Sequence, residues 1–216
     1  MSNALFEEID KDLKSYIEQD ILPRYDTFDK AHQRDHVNMV IEQSLFLAQF
    51  YDVDINMVYA IAAYHDTGLV EGRKFHHLVS GNIIRHDEKL VKWFDEEQIE
   101  IMAQSAEDHR ASADHEPRTI YGKIVAEADR CIDNESIVRR TVQYGLSNYS
   151  ELDEQEQIER ALDHLNEKYS EGGYLKLWIP ESPNAERLHD LHQLIKDKKR
   201  IRKMIKDIYE EEILRV

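Results

Sequence analysis

The sequence is poor in the residues that turn a chain sharply. Its 216 residues include 7 Gly and 4 Pro, too few for a sandwich or barrel built from many tight turns. A single Cys excludes internal disulfides and zinc-ribbon sites, and it fits a reducing compartment. No run approaches the ~20 apolar residues of a membrane span. The stretch from Met1 to Asp10 lacks a signal peptide's basic and apolar regions. Basic charge is scarce: 28 Lys and Arg against 44 Asp and Glu leave a net charge of −16. That balance argues against sequence-independent binding to nucleic acid, which needs a basic footprint. The expectation is an acidic, cytoplasmic, helical protein, built as one domain or as one domain with a small appendage.

What is present is helical periodicity. Phe6, Ile9, Leu13, Ile17 and Ile21 step by three and four through a first helix over about 5–21, which Pro23 stops. A second helix is predicted from about His36 to Phe50, and a third from about Ile55 to Asp66, ended by Thr67-Gly68 with Gly68 as a left-handed cap. Helicity resumes near His77 with Val79, Ile83 and Ile84. Asp95, with Gln98 three residues on, predicts a capping box for a helix that ends around His109 to Arg110. Further helices are expected over about 120–132, 136–146 and 153–169. The stretch from Gly172 to Pro183 is irregular and aromatic, readable as a lid or as a packed loop. One long charged helix is expected from Asn184 to the C-terminus, packed along the bundle or used in a dimer contact. No strand is expected, so the fold class is all-α, with a helical domain over 1–150 and a helical extension over 151–216 packed on it.

Four residues stand where a purely structural helix rarely places them. His65 continues the apolar stripe four residues after Ile61, and Asp66 follows it. Asp129 lies four residues after Val125, at the edge of a buried face. His36 opens the stripe of Val40 and Ser44. A carboxylate in a core is costly unless it is paired or bound to a cation. Imidazoles and carboxylates on inward helix faces are what a divalent-metal site in a helical bundle needs. Singly, each has a plainer reading: a core histidine with a hydrogen bond, or an Asp129 paired with Arg130. The ordered set of His, His-Asp and Asp shifts the balance.

His36, the segment Tyr64-His65-Asp66-Thr67-Gly68, and Asp129 in Ala126-Glu127-Ala128-Asp129-Arg130 resemble the H…HD…D signature of the HD-domain metal-dependent phosphohydrolases. The likeness covers roughly 31–148 and is nearest to small stand-alone bacterial HD hydrolases. It implies an HD-type bundle in which His36, His65, Asp66 and Asp129 bind a divalent ion (Mn, Mg, Fe or Zn), with one ion expected and two allowed. In two-ion members extra histidines join and the HD aspartate bridges. His77 and His109 stand in the corresponding stretches, as second-ion ligands or as contacts to substrate phosphate. His76, His86 and His115, among charged neighbours, are expected on the surface. Several phosphodiesterase members carry a Lys three residues after the HD aspartate, where this chain has Leu69.

The activity this implies is hydrolysis of a phosphoester or phosphoanhydride bond by metal-activated water. The substrate expected is a phosphorylated small molecule, by likeness a nucleotide. Asp66 is the first candidate to accept the water's proton, with Glu107 and Asp108 as weaker candidates. Arg73, Lys74, Arg110 and Arg130, and after them Lys123, are available to an anionic substrate. Cys131 is expected to be a small buried thiol. Neither nucleic acid nor membrane is expected as a partner, and the chain is expected to be a monomer or homodimer. Two rival readings are a non-catalytic metal- and nucleotide-binding HD sensor, and a di-iron HD oxygenase, which requires a full six-ligand set.

Overall fold

The computed structural model describes residues 7–28, 32–113 and 115–214. Phe6 and Ala31 lie outside them, so the start of the expected first helix is not described. Among the described residues every regular element is helical, and the all-α expectation holds. The chain divides into two compact units. The first comprises Met1–Cys131 with Trp178–Ser182, and the second Ile132–Leu177 with Pro183–Val216.

In the first unit, α1 (Lys11–Tyr16) starts at Asp10, whose carboxylate accepts from the amides of Asp12 and Leu13. A π turn, Ile17–Ile21, and a 3-10 turn, Leu22–Thr27, follow it. Regular α geometry therefore lapses at Tyr16, earlier than the periodicity predicts. Proline has no N–H and its ring crowds the carbonyl four residues back. The turn before Pro23 widens, and the chain resumes in 3-10 form with Pro23 in its first turn.

Next come α2 (Arg34–Ala48), α3 (Ile55–Tyr64), α4 (His76–His86), α5 (Glu96–Asp108) and α6 (Ile120–Asp129). Helix α3 is the centre, because every residue from Met57 to Tyr64 is buried. Its sequence is apolar all round, so it is stable only with neighbours on every side. Helices α2, α5 and α6 pack against it, and α4 packs on α5. The capping box at Asp95 and Gln98 is present in full.

Gly68 acts differently from its expected role. It lies within a 3-10 turn, Thr67–Glu71, and the left-handed glycine is Gly72, at φ 95°. Gly68 is needed for close approach: a Cβ there would meet the His76 carbonyl oxygen at 2.0 Å and the Ser80 nitrogen at 2.6 Å. Its amide donates to Ser80 Oγ at 2.8 Å, which ties the turn after α3 to α4. Residues 178–182 are a packed loop of this unit. Ile179 enters its core, the Trp178 amide donates to the buried Glu127 carboxylate at 2.7 Å, and Tyr51 donates to Glu181 at 2.6 Å. Cys131 is half-buried rather than buried.

The second unit holds α7 (Asn134–Asn148), α8 (Glu154–Tyr169), α9 (Asn184–Lys196) and α10 (Lys198–Ile213). The single last helix of the sequence reading is two helices. Asp197, at ψ 80°, breaks the backbone, and its carboxylate caps α10 on the amide of Arg200 at 3.0 Å. Aspartate favours such a capping role over a helix interior, where its side chain competes for backbone amides. Arg139 on α7 pairs with Glu211 and Glu212 of α10 at 2.9 and 2.8 Å. Among the described residues no helix is long and apolar enough to cross a membrane.

Candidate metal centre

Six donor side chains converge in the first unit, and all of them come from helix ends. His36 lies in the first turn of α2, and His65 and Asp66 close α3. His76 opens α4, His109 closes α5 and Asp129 closes α6. Helix ends suit this arrangement because their last carbonyls have no amide partner within the helix. The His65 Nδ1–H donates to the Ala62 carbonyl at 2.7 Å, and the His109 Nδ1–H to that of Ala106 at 2.6 Å. The His76 Nδ1–H likewise donates to the Arg73 carbonyl at 2.7 Å. A carbonyl oxygen only accepts, so each Nδ1 carries a proton, and each ring turns its Nε2 inward, a lone pair whenever the ring is neutral.

Those Nε2 atoms gather on the two oxygens of Asp66. Oδ2 lies 3.6 Å from His36 Nε2 and 3.4 Å from His65 Nε2. Oδ1 lies 3.3 Å from His76 Nε2 and 3.4 Å from His109 Nε2. Asp129 Oδ1 adjoins the first group through its histidines, 3.2 Å from His36 and 3.8 Å from His65. Ligand atoms about 2.1 Å from a shared ion are separated by ~3.0 Å at octahedral angles and ~3.4 Å at tetrahedral ones. The spacing around Asp66 is of that size on both sides.

Two further observations fit a cation. His36 Nε2 and His65 Nε2 are buried without a hydrogen-bond partner. His76 Nε2 and His109 Nε2 stand 3.2 Å apart, and both rings already spend their Nδ1 protons on carbonyls. Two facing lone pairs repel unless a proton or metal lies between them. Burial pushes the Asp66 and Asp129 carboxyls up, yet the surrounding imidazoles outweigh it and hold both well below the usual carboxylate range. His36 is also buried, and Asp129 and Asp66 nonetheless raise it to about 9. Burial and the neighbouring His109 lower His76 to about 4, leaving it neutral, the form that ligates metal. His36, His65 and Asp66, and again Asp66, His76 and His109, are compatible with divalent metal in two groups that share Asp66.

The expected four-residue set is thus brought together, and His109 joins the second group. The other member of that group is His76, which is half-buried and not on the surface as its charged neighbours predict. His77 is outside both groups. Its ring lies edge-on to that of His76, with centroids 5.6 Å apart, and burial, then the charges of His109 and Arg110, lower it. His86 is exposed, and His115 is exposed with Nε2 3.9 Å from Asp108.

The remaining candidates are placed as follows. Glu107 is bound by Arg85 at 2.5 Å and Arg118 at 2.6 Å. Asp108 accepts from the Arg118 guanidinium at 2.8 Å and the Arg118 amide at 2.7 Å. Both carboxylates are committed to arginines, and neither belongs to the histidine groups. Arg130 is buried, its guanidinium donating to the carbonyls of His109 at 3.2 Å and of Ala126, so it ties the ends of α5 and α6 together. Lys123 pairs with Glu116 at 2.5 Å. Arg110 donates to the Lys74 carbonyl at 3.1 Å. Arg73 and Lys74 are exposed in the turn whose carbonyls serve His76 and Arg110.

His76 had a sequence signal. It precedes Ser80 by four residues and Ile84 by eight, and both are buried. Ser80, between His76 and Ile84, is polar, and the charged residues just before His76 mask the stripe in the sequence.

Residues 34–133 match the family model described as HD domain, and all six donors lie inside that segment. Comparison with curated proteins and with solved structures finds no match.

Proposed function

Because residues 34–133 match the HD-domain model, of a superfamily whose members are generally metal-dependent phosphohydrolases, we propose that this chain hydrolyses a phosphoester or phosphoanhydride bond with divalent metal that Asp66 and the histidines around it would hold. The observation that carries the proposal is the division of the Asp66 carboxylate between two histidine pairs. A bound divalent ion would lower the pKa of water and offset negative charge on the phosphoryl oxygens. His36, His65 and Asp129 would hold one ion, and His76 and His109 the other.

Asp66 is an anchor in this reading rather than the proton acceptor. Both of its oxygens are faced by imidazole nitrogens, and its side chain is 5% exposed. Asp129 faces His36 and His65 through one oxygen and its side chain is 23% exposed; held well below the usual carboxylate range, it would orient the attacking water by accepting a hydrogen bond. Arg73, Lys74, Arg110 and His77 border the second group and are the candidates to neutralise substrate phosphate. Arg130 is assigned a structural role. The substrate class we propose is a phosphorylated small molecule of nucleotide size. An intact donor set disfavours a sensor that has lost its chemistry.

The test is metal content and turnover of the full chain on a panel of phosphate esters. We expect about two Mn, Mg, Fe or Zn per chain with hydrolysis, and loss of both in Asp66→Ala while the helical circular dichroism persists. No metal after reloading would sink the proposal. The six-donor set also favours one second reading, a di-iron oxygenase. Iron-loaded protein that consumes oxygen and leaves every phosphate ester intact would select it.

A further inference from the structure

The joint between α3 and the turn after it is closed by side chains instead of backbone. Three successive carbonyls at the end of α3 each accept from a side chain. Ala62 takes the His65 imidazole at 2.7 Å, Ala63 the Tyr25 hydroxyl at 2.9 Å, and Tyr64 the Thr67 hydroxyl at 2.7 Å. Asp66 has left helical geometry, at φ −109° and ψ 6°, and its amide donates to the same Tyr25 hydroxyl at 3.2 Å. One hydroxyl therefore donates to the residue before the Tyr64-His65 pair and accepts from the residue after it.

Tyr25 is well fixed for this. It comes from the 3-10 turn Leu22–Thr27, distant in sequence, and is 0% exposed. Its ring packs edge-on against Phe28, with centroids 5.3 Å apart, and lies 6.4 Å from the His65 ring. Phenylalanine would keep the packing but would leave a buried carbonyl and a buried amide without this partner, and such groups are costly when unpaired. The amide that would be released belongs to the residue whose carboxylate both histidine pairs face.

We infer that Tyr25 is a positioning residue of the metal centre: its hydroxyl clamps the Ala63 carbonyl and the Asp66 amide, and so fixes the direction in which the Asp66 carboxylate is presented. This rests on the reading of the centre as a metal site. Residues that orient ligands change metal affinity or activity by 10- to 100-fold when removed, without touching the metal themselves.

The experiment is a Co(II) titration followed by visible absorption, on the full chain as wild type, Tyr25→Phe and Tyr59→Phe. Tyr59 is a buried tyrosine of the same core, 2% exposed, and controls for loss of a core hydroxyl as such. Tyr25→Phe is expected to weaken Co(II) binding by about 10- to 100-fold and to shift the ligand-field bands, while Tyr59→Phe keeps both at wild-type values. Wild-type affinity and bands in Tyr25→Phe, or equal losses in the two variants, would overturn the inference and leave the metal centre standing. Failure of the wild type to bind Co(II) would overturn the metal reading, and this inference with it. Should Tyr25→Phe fold too poorly to titrate, amide exchange on the wild type decides. The Asp66 amide must exchange as slowly as the core amides of α3, and exchange as fast as that of Gly72 would overturn the clamp.

Discussion

His76 and His77 are neighbours in sequence, yet the start of α4 gives them different surroundings. His76 turns its Nε2 to 3.3 Å from Asp66, while His77 stays outside both donor groups. Removing a ligand and removing a substrate contact have different kinetic signatures. His76→Ala is expected to lower metal content to about one ion per chain and to cut kcat. His77→Ala should leave metal content unchanged and raise KM. Elemental analysis beside steady-state kinetics checks both, and equal metal loss in the two variants would count against the assignment. That distinction is invisible in a string of letters. His36, His65 and Asp129 continue or edge an apolar stripe and Asp66 follows His65, but it is their order, with its resemblance to the H…HD…D signature, that makes the set legible. The stripe of His76 runs through Ser80, which looks solvent-facing until its hydroxyl is seen to accept the Gly68 amide. Tyr25 carried no signal, since its role depends on meeting residues about forty positions away.

Helices α4 and α5 are held together by charge as well as by packing. Arg85 of α4 binds Glu100 and Glu107 of α5, at 2.7 and 2.5 Å, and Arg118 reaches back to Glu107 and Asp108 at 2.6 and 2.8 Å. Since His76 and His109 sit on these two helices, the network sets the spacing of the second histidine pair. Its pH dependence has a definite sign. Hydrogen bonds from Arg85 lower Glu100 to about 2. Burial pushes Glu107 up, but Arg85 and Arg118 outweigh it and bring it down. A carboxylate lowered on folding contributes stability above its unfolded value, and that contribution is lost as pH falls through the folded value. The loss should therefore spread from about 4.5 down to about 2. Glu100 is 46% exposed, so its pair is worth only about 0.2–1 kcal/mol. In Glu100→Gln the fall of Tm with acidification is expected to be shallower than in the wild type, measured on metal-free protein so that ligand protonation is common to both. An unchanged slope would show that the pair contributes nothing. This level of organisation was half legible. The Asp95–Gln98 capping box follows from local chemistry, whereas pairing between Arg85 and two glutamates of another helix depends on a register that only packing sets.

The charge of the whole chain bears on how an anionic substrate reaches the centre. With 44 acidic against 28 basic residues the net charge is −16, while the positive groups proposed for substrate are a few side chains beside the second histidine pair. Ionic strength separates the two contributions. At ~0.01 M salt the Debye length is ~30 Å, and charge across the protein acts on an approaching ligand. At ~0.15 M it is ~8 Å, and only groups near the site remain in play. A protein whose net charge attracts its substrate loses rate as salt rises. Here the distant field repels a phosphate, so raising salt over that range should increase kcat/KM, by about two- to tenfold, with kcat little changed because bound substrate is already past the field. The exposed Arg73 and Lys74 supply the opposing local attraction. Arg73→Ala combined with Lys74→Ala should therefore lower kcat/KM at every salt concentration and make its rise with salt steeper. Stopped-flow or steady-state rates at a fixed saturating metal concentration give the result. A kcat/KM that falls with salt in the wild type would mean that local cations outweigh the whole-chain charge even at long range, and the anionic substrate would then be drawn in rather than held off.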